Sequence, residues 1–504
     1  LFDGYKRELT DEKSLASSSS TKDHVMSTTL SSSQARAAPM TRRAAATLIV
    51  LCGAIFLEGI DVAMLNIALP AIRADLGLTT TTLSGVVSAY VLGYAGFMLL
   101  GGRAADIFGK RRVFLSALAV FIAFSGLGGL ATEGWMLLLA RFVTGASSAF
   151  MTPAGLALVA TNFPEGPQRN RALTIYASTA SAGFSLGLVL GGLLAAIDWR
   201  WVFFAPVIMA LLILAAAIRL IADKQPGTTR ERFDIPGAVV LTAAMLLAVH
   251  GVTRLEHLDQ GWAWTLGMFG LSAALWLAFL LIERLSGAPL IRFGIFRSGS
   301  LVRSNLAALL FAGSFFGFQF IATLYLQELL GWTPMQTSMA MLVIGIDAVV
   351  APILTPRLVN RFGNDRVIFA GLVLAAASYA LLLPMGLDWT YAAIFPSMLL
   401  LGLAFSIAYS PLTIAATDGV HEDEQGLAGG LLNTAFQFGA ALGLSGASAI
   451  GAYVLGEATS SEARLVSLQT ALIVPVAAAV AGALIAATGI RRCRDLSCDQ
   501  AMPS

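Results

Sequence analysis

Fourteen long apolar runs, beginning near Thr47, Leu83, Val113, Trp135, Leu173, Val202, Gly237, Leu266, Leu306, Ser338, Val367, Ala392, Gly429 and Leu468, constrain this chain more than any other feature. Each spans roughly 16 to 26 residues, enough at ~1.5 Å per residue to carry an α-helix across about 30 Å of hydrocarbon. They are too long for barrel strands and lack the alternation that a lipid-facing strand requires. With 57% hydrophobic and 12% charged residues in 504, no water-soluble core could hide so much apolar surface, so the bilayer is the solvent. The expected fold is all-α and integral to the membrane, with fourteen transmembrane helices. The seventh run, Gly237 to Val252, is short and is followed by a polar loop.

Basic residues set the orientation. Beyond Met26, the loops on one side of the membrane hold most of the Lys and Arg, while the opposite loops hold Arg73, Arg200, Arg254 and Arg464. Both termini are therefore expected in the cytoplasm. Trp135, Trp199, Trp201, Trp262, Trp264, Trp332 and Trp389 fall at the outer ends of runs and read as an interfacial belt. Residues 1–46 are polar and serine-rich and read as a disordered cytoplasmic tail, with a second tail at 491–504. The first apolar run lies too far in, and carries acids too many, for a cleaved signal peptide. Cys52 falls inside a span and Cys493 and Cys498 in the tail, positions that suggest neither a disulfide framework nor a metal site.

The connection between the second and third runs, Gly102-Arg-Ala-Ala-Asp106-Ile-Phe-Gly109-Lys110-Arg111-Arg112-Val113, concentrates charge in a tight turn. It has an echo. Laying Arg357–Val367 over Arg103–Val113 repeats Arg103, Phe108, Gly109, Arg112 and Val113 identically, with Asn360 and Asn364 in place of Asp106 and Lys110. The chain thus divides into two six-helix halves, 47–221 and 306–490, with two extra helices in the linker 222–305. Parallel half-repeats are a transporter design with the substrate site near the midplane between them.

On these motifs the chain resembles the major facilitator superfamily, and within it the fourteen-span drug:proton antiporters, over about residues 44–490. Gly102–Val113 is similar to the superfamily signature. Asp61-Val-Ala-Met-Leu-Asn66-Ile-Ala-Leu-Pro70 is similar to the first-span motif, with Ala63 where threonine is usual. Arg141-Phe-Val-Thr144-Gly145 carries Thr144 where glutamine is frequent. Gly183, Gly187, Gly191 and Gly192 match the antiporter motif of the fifth span, with Leu188 where proline is common. Trp199-Arg-Trp201, Asp234-Ile-Pro-Gly237, Pro289-Leu-Ile and Leu324-Tyr-Leu-Gln327 follow in family order. The resemblance implies export, an inner gate built on Gly102, Asp106, Gly109, Lys110 and Arg111, and a bacterial cytoplasmic (inner) membrane location. It also implies no cofactor, the proton gradient supplying the energy.

Elementary physics reads the same residues independently. Glycines at four-residue intervals admit a close neighbouring helix, and Gly191-Gly192 could also bend the span. Asp106 can cap the third span or meet a helix end of the other half, while Lys110, Arg111 and Arg112 can face anionic headgroups, or the loop can be a plain topogenic anchor. An ionisable group near the bilayer centre costs about 2.5–3.5 kcal/mol on insertion scales, so it needs a partner, a wet cavity or a function. Glu58 and Asp61 lie on one face of span 1, Asp61 roughly 21 Å along it from Thr47. Either they form a proton site, or Asp61 is the fixed partner of Arg141, and a proton that displaces that pair would join the two readings. Asp347 precedes Pro352, whose missing N–H should free the carbonyl of Ala348. Asp347, Asn433, Gln437 and Asn66 are the candidate substrate-binding groups. The expected function is proton-coupled efflux of lipophilic small molecules such as drugs, antibiotics and biocides. A carrier dedicated to one metabolite or pigment, or a non-transporting membrane sensor, is the alternative. No nucleotide-binding loop, zinc cluster or nucleophile constellation points to an enzyme. Expected partners are membrane lipids, protons and a lipophilic substrate, cations included, with no nucleic acid, and the working unit is a monomer.

Overall fold

The computed structural model describes residues 40–163, 167–222, 235–253, 262–285, 293–418, 420, 425–456, 458 and 460–499. Residues 1–39 of the tail expected over 1–46, Asp234 of the linker motif and the Pro289 segment lie outside the described residues. Among those described, the chain is helical, without strands. The N-terminal half comprises α1 (Arg42–Leu76), α2 (Thr80–Phe108), α3 (Lys110–Gly129), α4 (Gly134–Asn162), α5 (Pro167–Ile197) and α6 (Trp201–Leu220). The inserted pair is α7 (Ile235–Thr253) and α8 (Trp262–Leu285). The C-terminal half begins with α9 (Gly299–Leu324), extended by a π-turn at Tyr325–Leu329. A broken span follows as α10 (Pro334–Met341), a 3₁₀ turn at Leu342–Ile346 and α11 (Asp347–Phe362). Then come α12 (Asn364–Leu382), α13 (Tyr391–Thr417), α14 (Gln425–Leu455), α15 (Ser461–Ala471) and α16 (Ile473–Asp499). Among the described residues, eleven helical segments are long and apolar enough to cross a membrane, and shorter apolar stretches lie at Thr82–Met98 in α2, Ala182–Ile197 in α5 and Val239–Ala248 in α7. Two boundaries shift. Helix α1 starts a turn before Thr47, inside the expected tail, because Thr41 accepts from the amide of Ala44 and caps it. At the other end, α16 continues to Asp499, into the tail expected from residue 491.

The repeat seen in the sequence is present in the backbone. Helix α1 ends on Gly77 at φ 61°, Thr79 then caps α2, and Gly109 at φ 93° separates α2 from α3. At the same intervals the second half has Gly331 at φ 67°, Thr333 capping α10, and Gly363 at φ 82° between α11 and α12. Only glycine adopts such angles cheaply, which is why both turns kept it while the side chains around them diverged.

Packing obeys the same pairing. In the first half α1 lies on α5 and α6, and α3 on α4 and α6; in the second, α9 lies on α14 and α16, and α12 on α13 and α16. The halves meet along two seams, α2 against α14 and α5 against α10 and α11, which exchange places when the halves are swapped. Glycines bring the central pairs together: a β-carbon at Gly183 would lie 2.6 Å from the carbonyl oxygen of Phe56, and one at Gly191 2.8 Å from the Cα of Met64. Gly439 and Gly443 of α14 meet the backbone of Leu309 and Gly313 of α9 in the same manner. The inserted α7 and α8 pack on each other, and α7 leans on α2 and α14, with Thr242 donating to the carbonyl of Gly96 at 2.7 Å. They therefore flank one seam without entering the core.

The tryptophans do not all share one role. Trp135, Trp201, Trp262 and Trp264 are exposed, as an interfacial belt requires, but Trp199 is 4% exposed. Its indole donates to Asp75 at 3.0 Å and carries the guanidinium of Arg200 over its ring, so it builds a corner between α1 and α6. Trp332 and Trp389 pack against the C-terminal core.

A β-carbon at Gly109 would touch nothing within 4 Å, so Gly109→Ala should act through backbone strain alone. A loss of about 1–2 kcal/mol is expected, the cost of a left-handed backbone for an L-residue, read as a lower thermal midpoint of the purified protein. Gly102→Ala, which would meet only the β-carbon of Pro153 at 3.9 Å, should leave that midpoint unchanged.

Candidate functional site

Where the two seams frame the middle of the bundle, a cavity of about 380 Å³ lies between the halves. Its walls differ in chemistry. The N-terminal half contributes Glu58, Tyr90, Tyr94, Arg141, Thr152 and Tyr176. The C-terminal half contributes Phe315, Phe316, Phe405, Tyr409 and Phe436, together with Asp347, Asn433 and Gln437. The aromatic wall is a continuous packing unit: Phe405 lies 5.0 Å from Phe315 and stacks on Tyr409 at 5.4 Å, and Tyr409 meets Phe436 edge-on at 5.5 Å. Ring faces of this kind suit flat or lipophilic ligands, and the volume is that of a small-molecule site.

The two acids of α1 are separated in function by their partners. Asp61 turns away from the cavity and accepts from Arg141 Nη1 at 2.6 Å, both side chains being 2% exposed. Arg141 also lies over the ring of Tyr90, 4.3 Å from its centroid, so a buried cation is held by a carboxylate and a π-face together. Its Nε makes no hydrogen bond among the described residues. Glu58, one turn earlier, faces the cavity and accepts from Thr152 Oγ1 at 2.6 Å, with the Tyr94 hydroxyl on the same carboxyl. Hydroxyl partners can donate to a carboxylate or accept from a carboxylic acid, so this hydrogen-bonding set accommodates either form.

Asp347, Asn433 and Gln437 all line the cavity, but the geometry around Asp347 differs from expectation. Pro352 lies within α11 and cannot donate to the carbonyl of Ala348. A second irregularity, absent from the expectation, falls earlier, at the 3₁₀ segment Leu342–Ile346, and α11 starts at Asp347. The carboxyl thus sits at the start of a helix, hydrogen-bonded to the amide of Ala348. Gly345 in that turn faces Ser185 of α5, and the close approach of the two spans accounts for the irregularity. Asn66 is not a cavity residue. It is 2% exposed, and its Nδ2 donates to Val62 O at 3.0 Å and to Gln319 Oε1 at 3.4 Å, a link between α1 and α9 across the halves.

The motif glycines of α5 act in packing. Gly183, Gly187 and Gly191 face Phe56, Ile60 and Met64 of α1, while Gly192 faces Ser338 and Pro334 of α10 in the other half. The helix runs as one element from Pro167 to Ile197, with Gly191-Gly192 inside it. Near the end of α2, Gly101 meets the backbone of Ala149 and Phe150, whereas Gly102 would meet only the β-carbon of Pro153. Lys110 opens α3, whose N-cap is Gly109. The side chain of Asp106 lies outside the described set. Arg111 donates from Nη2 to the carbonyl of Ile218 at 3.0 Å, closing the C-terminus of α6.

One group of contacts had no mark in the sequence. At the face where α1 and α9 end, Arg73 pairs with Glu328 at 2.9 Å, Gln327 donates to Ile67 O at 3.0 Å, and Ser88 meets Ser445 at 3.3 Å. With Asn66–Gln319, these links join the halves at the Arg73 face. The cavity extends from Leu65 and Val87 away from them, toward Leu156 and Tyr176 on the Gly109 side. Arg73 and Glu328 are far apart in the chain, and neither falls in a pattern that announces its partner.

Two helical halves related by a repeat, enclosing a cavity between unlike walls, have the architecture of a membrane carrier. The chain belongs to the Major Facilitator Superfamily, whose family model matches residues 51–444. It is 36% identical over 422 residues to the cephamycin export protein CmcT of Amycolatopsis lactamdurans, covering 80% of this chain and 84% of that one. It is 33% identical over 456 residues to the puromycin resistance protein pur8 of Streptomyces alboniger, covering 87% and 89%. Among solved structures, the nucleoside transporter NupG matches with a TM-score of 0.63 over 89% of this chain and 99% of that one, at 11% identity, a likeness of fold alone.

Removing one member of the Asp61–Arg141 pair leaves the other charge buried. Arg141→Ala should cost about 3–5 kcal/mol, and Asp61→Asn with Arg141→Gln together should cost less than Arg141→Ala alone, as read from thermal unfolding in detergent.

Proposed function

We propose that this chain is a proton-coupled exporter of lipophilic small molecules, antibiotics among them, working by alternating access. The observation that carries the reading is Glu58: a carboxyl in the wall of the interhalf cavity whose partners are hydroxyls, beside an Asp61 already committed to Arg141. The curated relatives, named for the export of or resistance to antibiotics, support the direction and the substrate class.

With both termini in the cytoplasm, the Arg73 face is the outer face and the present state is closed outward. Substrate enters from the Gly109 side and lies against the aromatic wall, with Asp347, Asn433 and Gln437 within its reach. Rocking about the two seams breaks the Arg73–Glu328, Asn66–Gln319 and Ser88–Ser445 links and turns the cavity outward. A proton taken from outside onto Glu58 accompanies substrate release, and the halves return to give that proton to the cytoplasm. The Asp61–Arg141 pair holds α1 to α4 throughout. Asp106 and Lys110, with Arg111 fixing α6, form the inner gate. The chain acts as a monomeric carrier in a bacterial cytoplasmic membrane and not as an enzyme. It uses no cofactor and no nucleic acid; lipids, protons and the substrate are its partners.

A second reading, a carrier dedicated to one compound, is favoured by the relative named for cephamycin export. Proteoliposomes with an imposed pH gradient distinguish them, with a panel of lipophilic antibiotics as substrates. Several structurally unrelated compounds should be accumulated against their gradients; uptake of one alone would indicate the dedicated carrier. Glu58→Gln should abolish gradient-driven accumulation while sparing counterflow of substrate for substrate, and Asp347→Asn should weaken cationic substrates more than neutral ones. Full pH-driven transport by Glu58→Gln would sink the proton assignment.

A further inference from the structure

Helices α1 and α5 run parallel and in one register: Cys52 meets Thr179, Phe56 meets Gly183, Ile60 meets Gly187 and Met64 meets Gly191. From Phe56 to the Arg73 face the glycines of α5 hold the two backbones in contact. On the Gly109 side of Phe56 that glycine seam ends, and a groove of about 460 Å³ lies on the outer surface of the bundle. Leu48, Ile49, Cys52 and Phe56 line it from α1, and Ile175 and Thr179 from α5. Ile49 is 70% exposed and Ile175 38%, so the groove faces the hydrocarbon and not the central cavity.

The groove ends in positive charge. Arg42 lies one turn before Ala45, itself a lining residue, and Arg171 one turn before Ile175, so both continue the groove-facing stripes of their helices. The register of α1 and α5 places them at one level, and both are exposed. From Arg42 to Phe56 the helix rises roughly 21 Å, more than the ~15 Å of hydrocarbon in one leaflet. An apolar slot one leaflet deep, with two guanidiniums at its interfacial end, matches an amphiphile with an anionic head and a long chain.

We propose that this groove binds one anionic phospholipid, its phosphate between Arg42 and Arg171 and one acyl chain running along α1 to Phe56. Guanidinium forks bind phosphate oxygens in pairs, and basic sites between transmembrane helices at the interface select anionic headgroups. The site is separate from the substrate cavity, which Ile55, Glu58 and Gly59 of α1 and Tyr176 and Ala180 of α5 line from the other side of the same helix pair. A bound chain therefore wedges the pair that carries Glu58.

The test uses the full chain in vesicles of phosphatidylglycerol and phosphatidylcholine in which one lipid at a time carries a photoactivatable group near its acyl terminus. Labelled phosphatidylglycerol should crosslink chiefly to Leu48–Phe56 and Ile175–Thr179, and labelled phosphatidylcholine should not. In native mass spectrometry, retention of phosphatidylglycerol over phosphatidylcholine should fall about fivefold for each of Arg42→Gln and Arg171→Gln, the worth of one basic residue near an anionic surface. Arg284→Gln, at an exposed arginine near the end of α8 and away from the groove, should leave it unchanged. Crosslinks spread evenly over the lipid-facing helices, or absent from the groove because the segment before Met40 fills it, would overturn the proposal. So would an equal fall for Arg284→Gln.

Discussion

The buried pair of Asp61 and Arg141 is the interaction on which the rest of the N-terminal half depends. A guanidinium at this depth is tolerated because a carboxylate meets it at 2.6 Å and the Tyr90 ring covers it at 4.3 Å. That tie fixes the rotation of α1 against α4. Once Asp61 is aimed at α4, the helical period aims Glu58 into the seam between the halves, where Thr152 on the same α4 reaches it. The position of the cavity acid is therefore a consequence of the ion pair one turn away. The glycine contacts of α5 complete the constraint by holding α1 from its other side.

Duplication supplied the scaffold and not the chemistry. Gly77 and Gly331, Thr79 and Thr333, and Gly109 and Gly363 repeat because backbone angles and caps leave few residue choices. The side chains facing the cavity were free to diverge, and they did so in opposite directions. One half offers Glu58, Arg141 and hydroxyls; the other offers a wall of Phe and Tyr around Asp347. In the proposed cycle, such asymmetry would let a lipophilic substrate rest on one half while a proton is handled on the other. Drawing the substrate out of water strengthens every polar contact left in the cavity.

The helical class and the two-half plan were legible because a bilayer permits few solutions and because the Gly102–Val113 loop recurs. Glu58, Asp347, Asn433 and Gln437 were legible for the same reason: polar groups in apolar runs require an explanation, and all four face the cavity. Asn66 satisfied the same rule, yet its explanation is Gln319 on the opposite half, a pairing that no local pattern encodes. Pro352 announced the missing rung at Ala348, but the 3₁₀ turn at Leu342–Ile346, where Gly345 lies against Ser185 of α5, had no signal of its own. Trp199 resembled its neighbours in composition and position, and only Asp75 and Arg200 in three dimensions set it apart as a corner. Closure at the Arg73 face was illegible throughout, since it rests on pairs that the chain brings together only when both halves have folded.

The central claim is that protonation of Glu58, and not of Asp61, shifts the halves toward the outward-open state. Spin labels at Thr132→Cys, between α3 and α4, and Asp388→Cys, between α12 and α13, report that opening across the Arg73 face by pulsed electron resonance in a background with Cys52, Cys493 and Cys498 replaced by serine. Lowering the pH should lengthen the distance in the parent, and Glu58→Gln should lengthen it at high pH and remove the pH response. A distance that still responds to pH in Glu58→Gln, or that loses its response only in Asp61→Asn, would contradict the account.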